Sequence, residues 1–268
     1  MPSLASTAAL AAPEGRSFEG HFARPDAGGR RGALVVIHEI FGLTPWIREV
    51  AGRFAEIGYL ALAPDLFTGR LHPQFTAEAA ERMMPLVWQM PVDQRISEGP
   101  FKAALKGHRA ADIEIAWRLA RLGQGLEWLP PVMDDLKACV AWLRARPECG
   151  GKVGAIGFCL GGRLAFHLAT VDPSLNAAVV FYGAGPREDE VERITCPVLG
   201  IYGEDDEFIT KDVPRVAAAM QRFGKSFDSE VYNRTGHAFA RPGSKAYRED
   251  RAAQAWERTD AFLGKSLG

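Results

Sequence analysis

The sequence predicts an α/β fold: a mostly parallel, doubly wound sheet with an inserted helical segment. Three observations carry this. Runs such as GALVVIH (32–38), KVGAIGF (152–158) and AAVVFYG (177–183) are apolar without alternation, as expected of strands covered on both faces. Amphipathic helical patterns alternate with those runs, and alternation of that kind implies parallel pairing. The chain has 268 residues, of which 47% are hydrophobic and 24% charged, enough to bury a sizeable core in an ordinary globular domain.

The opening MPSLASTAALAAPEG is mildly apolar but lacks the basic start and sustained apolar stretch of a secretory signal. Residues 1–16 therefore read as a flexible N-terminal arm, and residues 17–268 as a single domain. SFEGHFARP (17–25) reads as an antiparallel edge strand. After the buried strand 32–38, PWIREVAGRFAEIG (45–58) is a helix with Pro near its start and Gly at its end. YLALAPDL (59–66) is a second strand, stopped by Pro64.

From about Thr68 to Leu129 the strand signal disappears. AEAAERMMPLVWQM and RAADIEIAWRLARLG, separated by a loop PVDQRISEGP, read as two or three inserted helices. An insertion there either covers a site or only enlarges the fold, since Met and Trp at helical spacing also suit a core.

PPVMDDLKACVAWLRARP (130–147) resumes the series as a helix. The strand 152–158, the helix of LGGRLAFHLATV, and the strands 177–183 and CPVLGIYG (196–203) follow. DVPRVAAAMQRFG (212–224) is a helix, SFDSEVYN (226–233) a strand, and AYREDRAAQAWERTDAFLG (246–264) the last helix.

A formal net charge of -1 and the lack of a basic run argue against nucleic acid or an anionic membrane as partner, and no apolar span is long enough to cross a bilayer. Cys139, Cys149, Cys159 and Cys196 form no C-x-x-C pair and have no His cluster beside them, so no metal site is expected. They read as the thiols of a cytoplasmic protein. The oligomeric state stays open between monomer and dimer.

Cys159 has a different context from the other three. It occupies the tip of a strand–turn–helix elbow, G-x-C-x-G, with Gly157 and Gly161 in the two crowded places and Gly162 extending the run. The helix starting at Leu160 points its partial positive charge at the tip, which favours an anion there. An elbow nucleophile needs a base and a group to orient the base. In chain order, an acid after a later strand and a His after the last strand meet that need. His237 in G-H-A-F has the position of the base. In YGEDDEFIT the acid is Asp206, the fourth residue of G-E-D-D, with Asp205 as the fallback.

HEIFG (38–42), GFCLGG (157–162), GEDDEF (203–208) and GHAFAR (236–241) together resemble the dienelactone hydrolases (carboxymethylenebutenolidases), from about Ser17 to Leu263. The resemblance implies an α/β-hydrolase fold and a hydrolase of ester or enol-lactone bonds. It implies Cys159 as nucleophile, His237 as base and Asp206 as the orienting acid. Glu39 would switch the cysteine between resting and reactive forms, and the N–H groups of Ile40 and Leu160 would form the oxyanion hole. Arg241 would bind a substrate carboxylate. No cofactor is implied, and the substrate would be a small ester or lactone.

One departure stands out: family members acting on dienelactone carry a further Arg and a Tyr in the inserted region. No Arg–x–x–x–Tyr aligns here, and Arg82, Arg95 and Arg109 are unsupported substitutes. With Trp88, Phe101, Trp117 and Trp128 in that region, the sequence points to a larger or less anionic substrate. Two other readings remain: a broad carboxylesterase or thioesterase on the same fold, and a thiol redox sensor without turnover.

Overall fold

The computed structural model describes residues 3–26, 32–68, 70–122 and 128–268. Its strands are β1 (Ser3–Ala11), β2 (Ser17–Pro25), β3 (Ala33–Ile37), β4 (Leu60–Pro64), β5 (Val153–Phe158), β6 (Ala177–Phe181), β7 (Val198–Gly203) and β8 (Phe227–Tyr232). They form one eight-stranded sheet in the order β1-β2-β4-β3-β5-β6-β7-β8. The strands from β4 across to β8 are parallel, while β1 and β2 run antiparallel.

The helices are α1 (Pro45–Glu56), α2 (Ala77–Gln89), α3 (Val92–Ile96), α4 (Glu98–Ala104), α5 (Ala110–Leu122), α6 (Leu129–Arg144), α7 (Leu160–Val171), α8 (Glu188–Val191), α9 (Glu207–Thr210), α10 (Val213–Arg222) and α11 (Glu249–Leu267). Successive strand residues point to opposite faces, so the sheet divides the core in two. Leu34, Val36, Ile156, Val179 and Ile201 pack with α1 and α11. Val35, Ile37, Ala155, Val180 and Val198 pack with α6, α7, α10 and the helices between residues 77 and 122. Both faces are dry, which explains why these strands read as continuous apolar runs.

The chain leaves β3 in one direction, to β4, and enters β5 on the other side. Residues beyond the C-terminal ends of β3 and β5 therefore flank a topological switch point, where open α/β sheets bind ligands. Register brings those ends level: Ile37 pairs with Gly157, and Phe158 with Phe181.

Three expectations need correction. Residues 3–11 are not a loose arm but β1, paired along its whole length with β2. Ala8 and Leu10 alternate inward and are buried, a period-2 signal muted by small residues of weak strand preference. Residues 17–25 consequently form an inner strand rather than an edge. Residues 91–100, read as a loop, carry α3 and the start of α4, so four helices lie between 77 and 122. Both are short, and neither α3 nor α4 has a side-chain hydrogen bond capping its N-terminus.

Candidate active site

Cys159 sits at φ 54 and ψ -114, a region costly for a residue with a Cβ. Its N–H donates to the Phe181 carbonyl at 3.0 Å, which anchors the turn to β6. The neighbouring glycines are required by contact. A Cβ on Gly157 would lie 1.9 Å from the Gly161 carbonyl oxygen, and one on Gly161 would lie 2.2 Å from the Ile37 carbonyl oxygen. The elbow can thus press α7 onto the end of β3, which brings the residues after Ile37 beside Cys159.

His237 lies in a turn after β8 that places Arg234 and Ala238 at positive φ, 55 and 62. Its Nδ1 is 2.6 Å from Asp206 Oδ2, and Cys159 lies near enough to act on its charge. Nδ1–H donates to the carboxylate, which leaves Nε2 for the sulfur. Asp206 is buried whereas Asp205 is exposed, so the structure brings the first choice of acid, not the fallback, to the imidazole. Burial works against charge on His237. Asp206 and Cys159, beside the ring, outweigh it and hold the imidazole up at about 10.

Glu39 follows β3 and is almost fully buried. Burial raises its carboxyl to about 7, with Glu81 adding to the rise and Arg241 and His237 opposing it. Oε2 is 3.2 Å from Arg241 Nη1, within ion-pair range, yet it finds no aligned hydrogen-bond donor. Arg241 also hydrogen-bonds Glu81 of α2 through Nη2, and its guanidinium lies over the Phe41 ring at 4.7 Å. The arginine expected to be open to a substrate carboxylate is therefore already paired twice.

Leu160 is the first residue of α7, so its N–H has no intrahelical acceptor. Among the described residues neither its N–H nor that of Ile40 donates to a protein group. These two donors follow Cys159 and Glu39 directly, where an oxyanion could be held.

Sequence reasoning missed three neighbours. His38, at the end of β3, locks the loop: Nδ1 is 2.7 Å from the Glu39 carbonyl oxygen, and Nε2 accepts from the Leu66 N–H at 3.3 Å. Tyr182, at φ 39, is fully buried with an unpartnered hydroxyl, and its ring stands edge-on to His237. Burial, with Glu39 and Cys159 nearby, pushes that phenol well above its ordinary range. Its positive φ could have been suspected only from its place after a buried strand. Glu81 had no signal, being one carboxylate on a helix of the insertion. No metal-binding group of three or more His, Cys, Asp or Glu occurs among the described residues, and no helix there is long and apolar enough to cross a membrane.

Comparison with known proteins places the chain in a family. The sequence model of the dienelactone hydrolase family matches residues 18–267. A carboxymethylenebutenolidase of Pseudomonas putida is 30% identical over 234 residues, covering 86% of this chain and 84% of its own. A Saccharolobus solfataricus protein, provisionally assigned the same name, is 32% identical over 237 residues, covering 86% and 88%. A crystal structure of a provisionally assigned dienelactone hydrolase from Klebsiella pneumoniae superposes with a TM-score of 0.71 at 25% identity, covering 97% of this chain and 99% of that one.

Proposed function

We propose a cysteine-based mechanism for this chain, which belongs to the dienelactone hydrolase family and is an α/β-hydrolase acting on ester and lactone bonds. The observation that carries the proposal is the strained placement of Cys159 at the elbow, beside a histidine that Asp206 holds at 2.6 Å.

In this reading the Cys159 thiolate attacks the carbonyl carbon of a small ester or enol lactone. The oxyanion that forms is held by the N–H groups of Ile40 and Leu160. The tetrahedral intermediate collapses, the C–O bond breaks, and the His237 imidazolium gives its proton to the leaving oxygen. The resulting acyl-thioester is attacked by water, whose proton passes to His237. The thiolate then leaves with the free acid as product. A lactone keeps its leaving oxygen attached, so it gives a single ring-opened acid. Asp206 fixes the tautomer and stabilises the imidazolium. Glu39, poised near neutrality beside Arg241, is suited to trade a proton with the sulfur as the site fills. Membership of a hydrolase family weighs against a thiol that only senses oxidants.

Cys159→Ala tests the scheme. Turnover of an activated ester is expected to fall by about 10⁴-fold or more, with an unchanged circular dichroism spectrum. Mass spectrometry of the wild type quenched during turnover should find one acyl group on the peptide bearing Cys159. Wild-type turnover in Cys159→Ala would rule the mechanism out.

A further inference from the structure

At Arg241 the insertion and the sheet edge share a charge within the site. Its two terminal nitrogens are taken by carboxylates from different elements: Nη1 faces Glu39 at 3.2 Å and Nη2 is hydrogen-bonded to Glu81. Its guanidinium face is covered by Phe41, with the Trp46 ring 6.0 Å away. A guanidinium recognises a carboxylate best through two parallel N–H bonds, and here each terminal nitrogen already faces a carboxylate. The two partners differ in freedom. The Glu39 side chain is 3% exposed and fixed at the end of β3, whereas that of Glu81 is 38% exposed on α2.

Charge balance points the same way. One arginine faced by two carboxylates is neutralised or over-neutralised, whichever form Glu39 takes. A substrate carboxylate brought to Arg241 would be a further negative charge beside Glu81 and Glu39, and like-charge contacts of this kind are strongly unfavourable.

We infer that Glu81 is a specificity-determining residue: its carboxylate fills the receptor that Arg241 would offer to an anionic acyl group, so the enzyme selects esters and lactones whose acyl part is uncharged. The inference rests on the reading above and on the role the family resemblance implies for Arg241, that of meeting a carboxylate on the acyl side of the substrate. It narrows the substrate class to neutral acyl compounds, and it makes α2 the element that sets that choice.

The test compares kcat/KM for p-nitrophenyl hexanoate with that for mono-p-nitrophenyl adipate, which has the same chain length and one added carboxylate. The wild type should prefer the hexanoate. Glu81→Gln, which keeps the shape and removes the charge, should raise the adipate-to-hexanoate ratio about tenfold or more, the worth of one charge-assisted contact. Adding Arg241→Gln to Glu81→Gln should abolish that gain, which separates an exposed receptor from general loosening of α2. A wild type that prefers adipate, a ratio unmoved by Glu81→Gln, or a gain that survives loss of Arg241 would each overturn the assignment.

Cys159→Ala, assayed beside these on the hexanoate, reports on the nucleophile separately. Retained hydrolysis with a shifted ratio would discard the nucleophile and keep Glu81 as the selector. Lost hydrolysis with an unmoved ratio would do the reverse.

Discussion

The sheet edge around Cys159 and the helices between residues 77 and 122 obey different constraints. At the edge, backbone meets backbone. The Gly157, Gly161 and Cys159 turn is enclosed by carbonyls of Ile37 and Phe181, and the flanking strand residues have no exposed surface. In the insertion, one face joins the core through Met83, Phe101, Ile115 and Leu119, while the rest is held by side-chain pairs such as Arg82–Asp112 and Lys102–Glu114. Trp88, Val92 and Ile96 stay exposed there. Where backbones touch, few residues fit and a change acts steeply. Where side chains pair across water, many residues fit and a change acts by degrees.

The sharpest way to break this comparison is Gly157→Ala. The added methyl would meet the Gly161 carbonyl group within 2.2 Å, and no side chain is available to yield. The expected cost is about 3 kcal/mol or more, read from the urea midpoint, together with loss of esterase activity. An active variant with an unshifted midpoint would show that the elbow is softer than its contacts require.

This contrast also explains what could be read from the sequence. The strands from β3 to β8, the elbow and the order Cys159, Asp206, His237 were legible because steric and hydrogen-bonding demands leave few residues able to serve. β1 was not legible, since Ser, Ala and Thr alternate without a strong apolar contrast. α3 and α4 are short, and neither is closed by a side-chain cap. Glu81 was invisible for a different reason. Its partner is 160 residues away, and nothing local distinguishes a carboxylate that reaches Arg241 from one that faces water.

A smaller effect comes from the group lying between the two regions. Glu39 is raised from 4.5 to about 7 in the folded protein, chiefly by burial. Between those values the native state keeps a proton that the unfolded state has released. Stability from this group is thus fully present below pH 4.5 and is lost as pH rises to about 7, by about 3 kcal/mol in all. Glu39→Gln removes the titration. Urea unfolding at pH 5 and pH 8 should show the wild type losing more stability than the variant across that interval. His237 is also raised, from 6.5 to about 10, so its stabilising contribution is lost only as pH climbs through that higher window. Equal pH slopes in wild type and variant would mean that Arg241 keeps Glu39 ionised throughout, and that the sheet edge tolerates a buried charge without penalty.

The smallest effect sharpens the comparison from the side of the insertion. Trp88 is 52% exposed on α2, and its ring stands edge-on to Phe41 at 5.9 Å. Phe41 in turn underlies the Arg241 guanidinium at 4.7 Å. Trp88→Ser removes one aromatic pair and little buried surface, so stability should change by about 1 kcal/mol or less. Its effect on the site should be larger in proportion, because the indole braces Phe41, the ring beneath the Arg241 guanidinium. KM for the hexanoate should rise severalfold while kcat holds, since the attacking sulfur and its histidine are untouched. A variant that unfolds instead would make α2 as tightly dictated as the elbow, and the division between backbone-built and pair-built regions would fail at the point where the two meet.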